Sequence, residues 1–86
     1  MPFSTYILYS NSINHFYVGH CEDIEERVSR HNKGNGSKYT KKTNDWVLKW
    51  QRNFETRPEA MAFELLIKKK KSRKYIEYLI STVKKE

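Results

Sequence analysis

What the chain lacks narrows it first. It has one cysteine, Cys21, so no internal disulfide can form. It has no CxxC and only three histidines, so a structural zinc site is not expected. That usage points to a reducing, cytoplasmic compartment. Three glycines and two prolines leave no low-complexity linker, and no segment repeats. No apolar run approaches the roughly 20 residues of a membrane span. The opening "MPFSTYILYS" has no basic lead-in and too short an apolar run for a signal peptide. At 86 residues, one domain over 1–86 is expected. A domain of this size buries only about 60% of its unfolded surface, so each polar group near the core is costly.

What the chain has is positive charge. The net charge is +7 and the pI about 9.6. Such a surface attracts polyanions, nucleic acid first and acidic lipid second.

Periodicity orders the elements. "STYILYS" (4–10) alternates and is rich in β-formers, and "HFYVGHC" (15–21) reads as its hairpin partner across "NSIN" (11–14). Asp23 with Glu26 opens a helix that runs to about Asn32. "KGNGSKYTKKTN" (33–44) is a basic loop and "DWVLKWQRNF" (45–54) a third strand, with Trp46 and Trp50 on one face as core. Thr56 with Glu59, and Pro58 in the first turn, start a helix over about 57–70. "SRKYIEYLISTVKK" (72–85) repeats Tyr75, Ile76, Leu79, Ile80 and Val83 at helical spacing. The fold class is α+β, a small three-stranded antiparallel sheet flanked by helices.

Several residues fit that pattern poorly. In "AMAFELLIKKKK" (60–71) Glu64 shares a helix face with Ala60, Phe63 and Ile67. Burying its carboxylate unpaired would cost several kcal/mol or more. Either the helix turns Glu64 to an edge where a lysine pairs it, or the carboxylate has work to do. Arg27 lies on the side of Ile24, Val28 and His31, as a snorkelling cation or a functional one. His31 itself is a capping, packing or functional residue. Tyr6 and Leu8 share one strand face, Ile7 and Tyr9 the other, and Tyr9 reads as a packing residue. Tyr17 shares a face with Gly19 and Cys21, and Gly19 leaves a gap beside it for a ligand or backbone.

The ordered set "STY" (4–6), "YVG" (17–19), "DIEERVSRHN", "GSKYT" and "EAMAFELLIKKKK" resembles the GIY-YIG nuclease superfamily, in its stand-alone single-domain form. The resemblance covers nearly the whole chain. It implies a three-stranded antiparallel sheet with helices, and phosphodiester hydrolysis with one divalent ion, Mg²⁺ or Mn²⁺. By position it implies that Tyr17 is the base or water-positioning group, with Tyr6 beside it. Arg27 would hold the scissile phosphate and Glu64 the metal. Tyr39 matches a further active-site tyrosine, and His31 a position often occupied by histidine. Ser4 and Thr5 stand where glycine and isoleucine are expected. His20 follows "YVG" where DNA-repair relatives carry lysine, and a histidine there has a lower reference pKa.

The chemistry agrees with these residue types. Hydrolysis needs an aligned water, charge neutralisation and a stabilised leaving oxygen. A hard cation accepts one carboxylate plus waters and substrate oxygens. Arginine's planar fork suits phosphate. A tyrosine is a poor base at neutral pH unless Arg27 or a metal favours its phenolate, and a metal-bound hydroxide is the competing account. Glu64 is expected to face a cleft between Tyr17 and Arg27, relieved by Arg27 or the cation. His20, Lys33, Lys38, Lys41, Lys42 and Lys68 are the expected nucleic-acid grip; the run Lys68–Lys71 circles its helix, so some of it only solvates. The expected partner is DNA, with RNA left open, no membrane and no obligate protein. A homodimer would be needed to cut both strands at once, and no residue pattern signals one. A nucleic-acid-binding module that keeps the fold without turnover is the alternative.

Overall fold

The hairpin that alternation implies is the centre of the molecule. β1 (Phe3–Ser10) and β2 (His15–Cys21) pair antiparallel, with Tyr6 opposite Gly19 and Leu8 opposite Tyr17. Asn14 closes the turn at a φ of 54°, a left-handed value that asparagine tolerates better than most residues. β3 (Trp46–Phe54) pairs antiparallel with the other side of β1. The order β2-β1-β3 leaves β2 as an edge. The computed structural model describes residues 2–82.

The capping signals place the helices. α1 (Ile24–Asn32) begins where the Asp23 carboxylate accepts from the Glu26 N–H. α2 (Arg57–Lys70) opens on a reciprocal capping box between Thr56 and Glu59. It stops at Lys71, whose φ of 47° cannot continue a right-handed helix. Ser72 then caps α3 (Arg73–Ser81), accepting from the Tyr75 N–H. Thr82 caps its C-terminal end, and positions 83–85 of the predicted third helix, Val83 among them, lie outside the described residues. The predicted loop holds a short 3₁₀ turn, Thr40–Lys42.

The sheet has two unlike faces. Ile7, Val18 and Trp50 meet Ile67 of α2 and Leu79 of α3 in an apolar core. Full burial of each such aliphatic side chain is worth roughly 1.5–3 kcal/mol. Tyr6, Leu8, Cys21 and Trp46 form the other core, against Ile24 and Val28 of α1. Trp46 and Trp50 are both buried, but they do not share a face as simple alternation predicts. The β1–β3 register slips between Ile7 and Leu8, so Trp50 faces Ile7 while Leu48 faces Leu8. Lys49 is the extra residue, and a bulge of one residue reverses the facing of everything beyond it.

Polar ties fix the two sides. Thr5 Oγ1 donates to the Ala60 carbonyl at 2.7 Å and sets the rotation of α2 on β1. Asp45, predicted as the first residue of the strand, is instead a corner. It accepts from Ser10 Oγ (2.5 Å), Thr43 Oγ1 (2.8 Å) and the Ser12 N–H (3.0 Å). These bonds, Ser10's foremost, lower its carboxyl pKa to about 2. Asn32 pairs with Trp46 as a strand would, accepting from its N–H at 2.7 Å and donating to its carbonyl at 3.0 Å. Both ends of the basic loop are thus anchored.

Candidate active site

Strand alternation splits the candidate residues between the two faces. Tyr17, Gly19 and Cys21 point to the α1 side; Phe16, Val18 and His20 point to the α2 side. Tyr6, His31 and Arg27 therefore gather with Tyr17, while Glu64 gathers with His20. The site straddles the free edge of β2.

On the α1 side Tyr6 is buried opposite Gly19, and its hydroxyl lies where a side chain at position 19 would begin. A Cβ there would stand 2.6 Å from Tyr6 Oη. The predicted gap beside Tyr17 exists, but the Tyr6 phenol fills it. Tyr6 Oη meets His31 Nε2 at 3.0 Å, and His31 Nδ1 meets Thr40 Oγ1 at 2.8 Å. Thr40 Oγ1 also accepts from the Ser37 N–H and donates to the Ser37 carbonyl. A hydroxyl has one proton and two acceptor sites, so His31 carries its proton on Nδ1 and accepts from Tyr6 at Nε2. Burial, with Arg27 and Arg30 adding to it, lowers the His31 pKa and keeps the ring neutral. Burial, then the neighbouring Tyr17, pushes the Tyr6 pKa far above that of an ordinary phenol; Arg27 beside it pulls the other way. Tyr6 thus keeps its proton. Gly36 is tight for the same reason as Gly19: a Cβ there would overlap His31 Nδ1.

Tyr17 is half-buried at the mouth of this cluster. Its ring lies 5.1 Å from His31, 6.4 Å from Tyr6 and 5.9 Å from Tyr39, measured between centroids. Arg27 makes no ion pair among the described residues, and its buried Nε has no hydrogen-bond partner. A snorkelling arginine would have carried that nitrogen to water.

On the α2 side the Glu64 side chain is 12% exposed and fully engaged. His20 Nδ1 lies 2.5 Å from Oε1, and Lys68 Nζ 2.5 Å from Oε2. The expectation that Glu64 lies between Tyr17 and Arg27 is corrected here: its partners are a histidine of the same face and the lysine one turn on. Ala60 and Ile67 are buried under β1 and β2, so the position between them emerges at the β2 edge. Lys68 crosses that edge, its Nζ 5.9 Å from the centre of the Tyr17 ring. The side chains of the two faces meet there.

The donor set fits a hard cation. Both Glu64 oxygens are bonded, so an ion would have to displace Lys68, 47% exposed, from one of them. Among the described residues no three His, Cys, Asp or Glu side chains are grouped for metal binding. A bound ion would take its remaining oxygens from water and phosphate.

The other expected residues are spread around this edge. Tyr39 Oη meets His15 Nδ1 at 2.7 Å, and Lys42 Nζ lies 4.6 Å over the Tyr39 ring. Lys33, Lys41 and Lys42 line a polar hollow of about 510 Å³ at the end of α1. Lys38 is exposed and lies apart from it. Of the α2 lysines only Lys68 faces Glu64, whereas Lys70 covers Tyr75. A concavity of about 710 Å³ between α2 and α3 is lined by none of the candidate residues. Two members went unnoticed in the sequence. His15 has the same strand parity as Tyr17, a signal that was available. Thr40 lies nine residues from His31 with no period linking them.

Residues 2–76 match the GIY-YIG catalytic domain. A UPF0213 protein of Bacillus velezensis is 39% identical over 75 residues, covering 84% of this chain and 75% of that protein. The UPF0213 protein YazA of Bacillus subtilis is 42% identical over 67 residues, covering 74% and 68%. A Staphylococcus saprophyticus relative is 44% identical over 52 residues, 60% of this chain and 63% of its own length. The solution structure of a UPF0213 protein of Bacillus halodurans superposes with a TM-score of 0.58 at 31% identity, over 96% of this chain and 86% of that one. The sheet, its three helices and these matches agree: the chain belongs to the GIY-YIG family of nucleases, among its small UPF0213 members.

Proposed function

We propose that this protein is a divalent-metal-dependent endonuclease, one domain over 1–86, that hydrolyses phosphodiester bonds in DNA with structural or weak sequence preference. The observation that carries the reading is Arg27. Arg27 is a half-buried cation with no acid partner among the described residues and an unpartnered Nε, and a phosphate would satisfy both its charge and that nitrogen. The chain's own residues divide the work. Arg27 neutralises the phosphate. Tyr6, held protonated through His31 and Thr40, positions Arg27 and packs behind Tyr17. Tyr17, the more open hydroxyl, orients the attacking water or takes its proton. Glu64, steadied by His20, would hold the cation, which when bound would supply charge to polarise the phosphate and the leaving oxygen. Lys33, Lys38, Lys41 and Lys42 grip the flanking backbone.

A second reading has an observation of its own. Both Glu64 oxygens are already bonded, as they would be in a binding module that has lost turnover. One assay separates the two: the pure protein is incubated with branched, nicked and linear DNA in Mg²⁺, Mn²⁺ or EDTA. Cleavage with either metal and none in EDTA supports the nuclease; tight binding without cleavage in any condition supports the module.

A further inference from the structure

One face of α2 has no part in the site. Met61, Leu65 and Leu66 are 40%, 59% and 43% exposed, and Pro58, Ala62 and Lys69 lie open beside them. Spacings of four, three and four set Pro58, Ala62, Leu65 and Lys69 in one line along the helix, opposite the buried Ala60 and Ile67. Met61 flanks that line on the side of Glu64. Leu66 flanks it on the side of α3, where it lines the concavity of about 710 Å³. A helix that is apolar on both faces is normally a buried one. Here the chain itself covers only one face.

The charges at the ends of the line select what covers the other. Glu59 lies at one end and Lys69 at the other, and neither makes an ion pair among the described residues. Within one chain they are separated by about 15 Å of helix. A second α2 laid antiparallel on the first brings Lys69 of each copy to Glu59 of the other. The same two-fold axis, passing between positions 63 and 64, sets Ala62 against Leu65 of the second copy, and does so twice. Small against large is what a close helix pair needs. DNA or an anionic lipid surface would suit Lys69 but not Glu59; a second copy suits both.

We propose that the exposed face of α2 is the seam of a weak antiparallel homodimer. One helix pair buries less than the roughly 1,200 Å² at which stable interfaces begin, so a dissociation constant of about 10 µM to 1 mM is expected. Glu64 leaves α2 on the Met61 flank, and a two-fold axis perpendicular to both helices keeps that flank on one side. Both β2 edges therefore open on the same side of the dimer, as coordinated cutting of two strands would need. That consequence rests on the nuclease reading; the seam does not, and it is tested without DNA.

The full chain is sedimented at about 10 µM to 1 mM, in about 0.15 M salt, which screens the copies' mutual repulsion beyond about 8 Å. The mass should rise from 10.4 kDa towards twice that value. Leu65→Glu puts a charge at the centre of the seam and should raise the dissociation constant at least about tenfold. Leu65 is exposed, so the fold is not at stake. Lys69→Glu alone, and Glu59→Lys alone, each set like charges together and should weaken association several-fold. Their equimolar mixture restores both pairs and should associate as the parent does. Thr56 still caps α2 in Glu59→Lys, because its hydroxyl accepts from the backbone N–H of position 59, and far-UV circular dichroism checks the helix content. A parent still monomeric at about 1 mM, a Leu65→Glu variant that associates like the parent, or a mixture no tighter than its components would overturn the seam. A monomeric parent that binds phosphatidylserine vesicles through Leu65 would give the face to a lipid surface instead. DNA cleavage by a strictly monomeric chain would refute the dimer and spare the nuclease; a dimer that cleaves nothing in Mg²⁺ or Mn²⁺ would do the reverse.

Discussion

The two faces of the sheet are held together by different physics. On the α2–α3 face, Ile7, Val18, Trp50, Ile67 and Leu79 form an apolar cluster, and the buried hydroxyl of Thr5 is satisfied by one backbone carbonyl. On the α1 face Tyr6, His31, Thr40 and Ser10 are buried as deeply as the aliphatics, and each depends on named hydrogen-bond partners. The first face tolerates any good packing. The second is specific, since a buried polar group left alone costs about 1–3 kcal/mol. The site draws on both: the apolar face carries Glu64 to the edge on a rigid helix, and the polar face presents Tyr17 and Arg27.

The largest expected break in that contrast is Ile67→Ala. It opens a cavity in the apolar face and should destabilise by about 2–5 kcal/mol, read by chemical denaturation. Cleavage should fall with it, because the same helix turn supports Glu64.

A smaller, pH-dependent effect belongs to the polar face. His31→Asn should cost about 1–3 kcal/mol by stranding Tyr6 or Thr40. The parent should also lose stability in acid. Because burial lowers the His31 pKa in the fold, the unfolded chain binds the extra proton first. His31's contribution is whole above the unfolded value near 6.5 and declines as pH falls below it. Asp45 gives a separate step. Its contribution is whole above the ordinary carboxyl value of 3.8 and is lost as pH falls towards about 2. Thermal midpoints against pH should show both steps in the parent. His31→Asn should remove the upper one and Asp45→Asn the lower. A parent with no slope below neutrality would mean that His31 is not held neutral.

The smallest effect should be that of Tyr9→Phe. Tyr9 Oη donates to Asn14 Oδ1 at 2.6 Å in an exposed position, so its loss should cost no more than about 1 kcal/mol. Cleavage should be unchanged, which sets a baseline for Tyr17→Phe, expected to lose about 100-fold or more.

Legibility in the sequence followed the same division. Strands, caps and the apolar stripes of α1 and α3 were visible because alternation, helical spacing and capping residues are local signals. The bulge at Lys49 was not, because nothing in an ordinary lysine marks an extra residue, so the equal parity of Trp46 and Trp50 reads as a shared face that the structure does not have. The tyrosines, Arg27 and Glu64 were legible as an ordered set. Their distribution over two faces was half legible: the opposite parity of Tyr17 and His20 could be read, but not that His20 is what Glu64 bonds. The His31–Thr40 tie was invisible, because a loop residue with no period meets a helix only in three dimensions.

The proposed hydrolysis of DNA would need a carboxylate from the apolar face and a tyrosine–arginine pair from the polar face to act together at the β2 edge. Glu64→Gln tests it most directly, since it keeps the shape and removes the charge. Cleavage with Mg²⁺ or Mn²⁺, DNA affinity in EDTA and the thermal midpoint are measured on the one variant. The account predicts cleavage reduced at least about 100-fold, affinity unchanged or slightly tighter, and stability within about 1 kcal/mol of the parent. Full metal-dependent cleavage by Glu64→Gln would contradict it, leaving Glu64 as no more than the partner of His20 and Lys68.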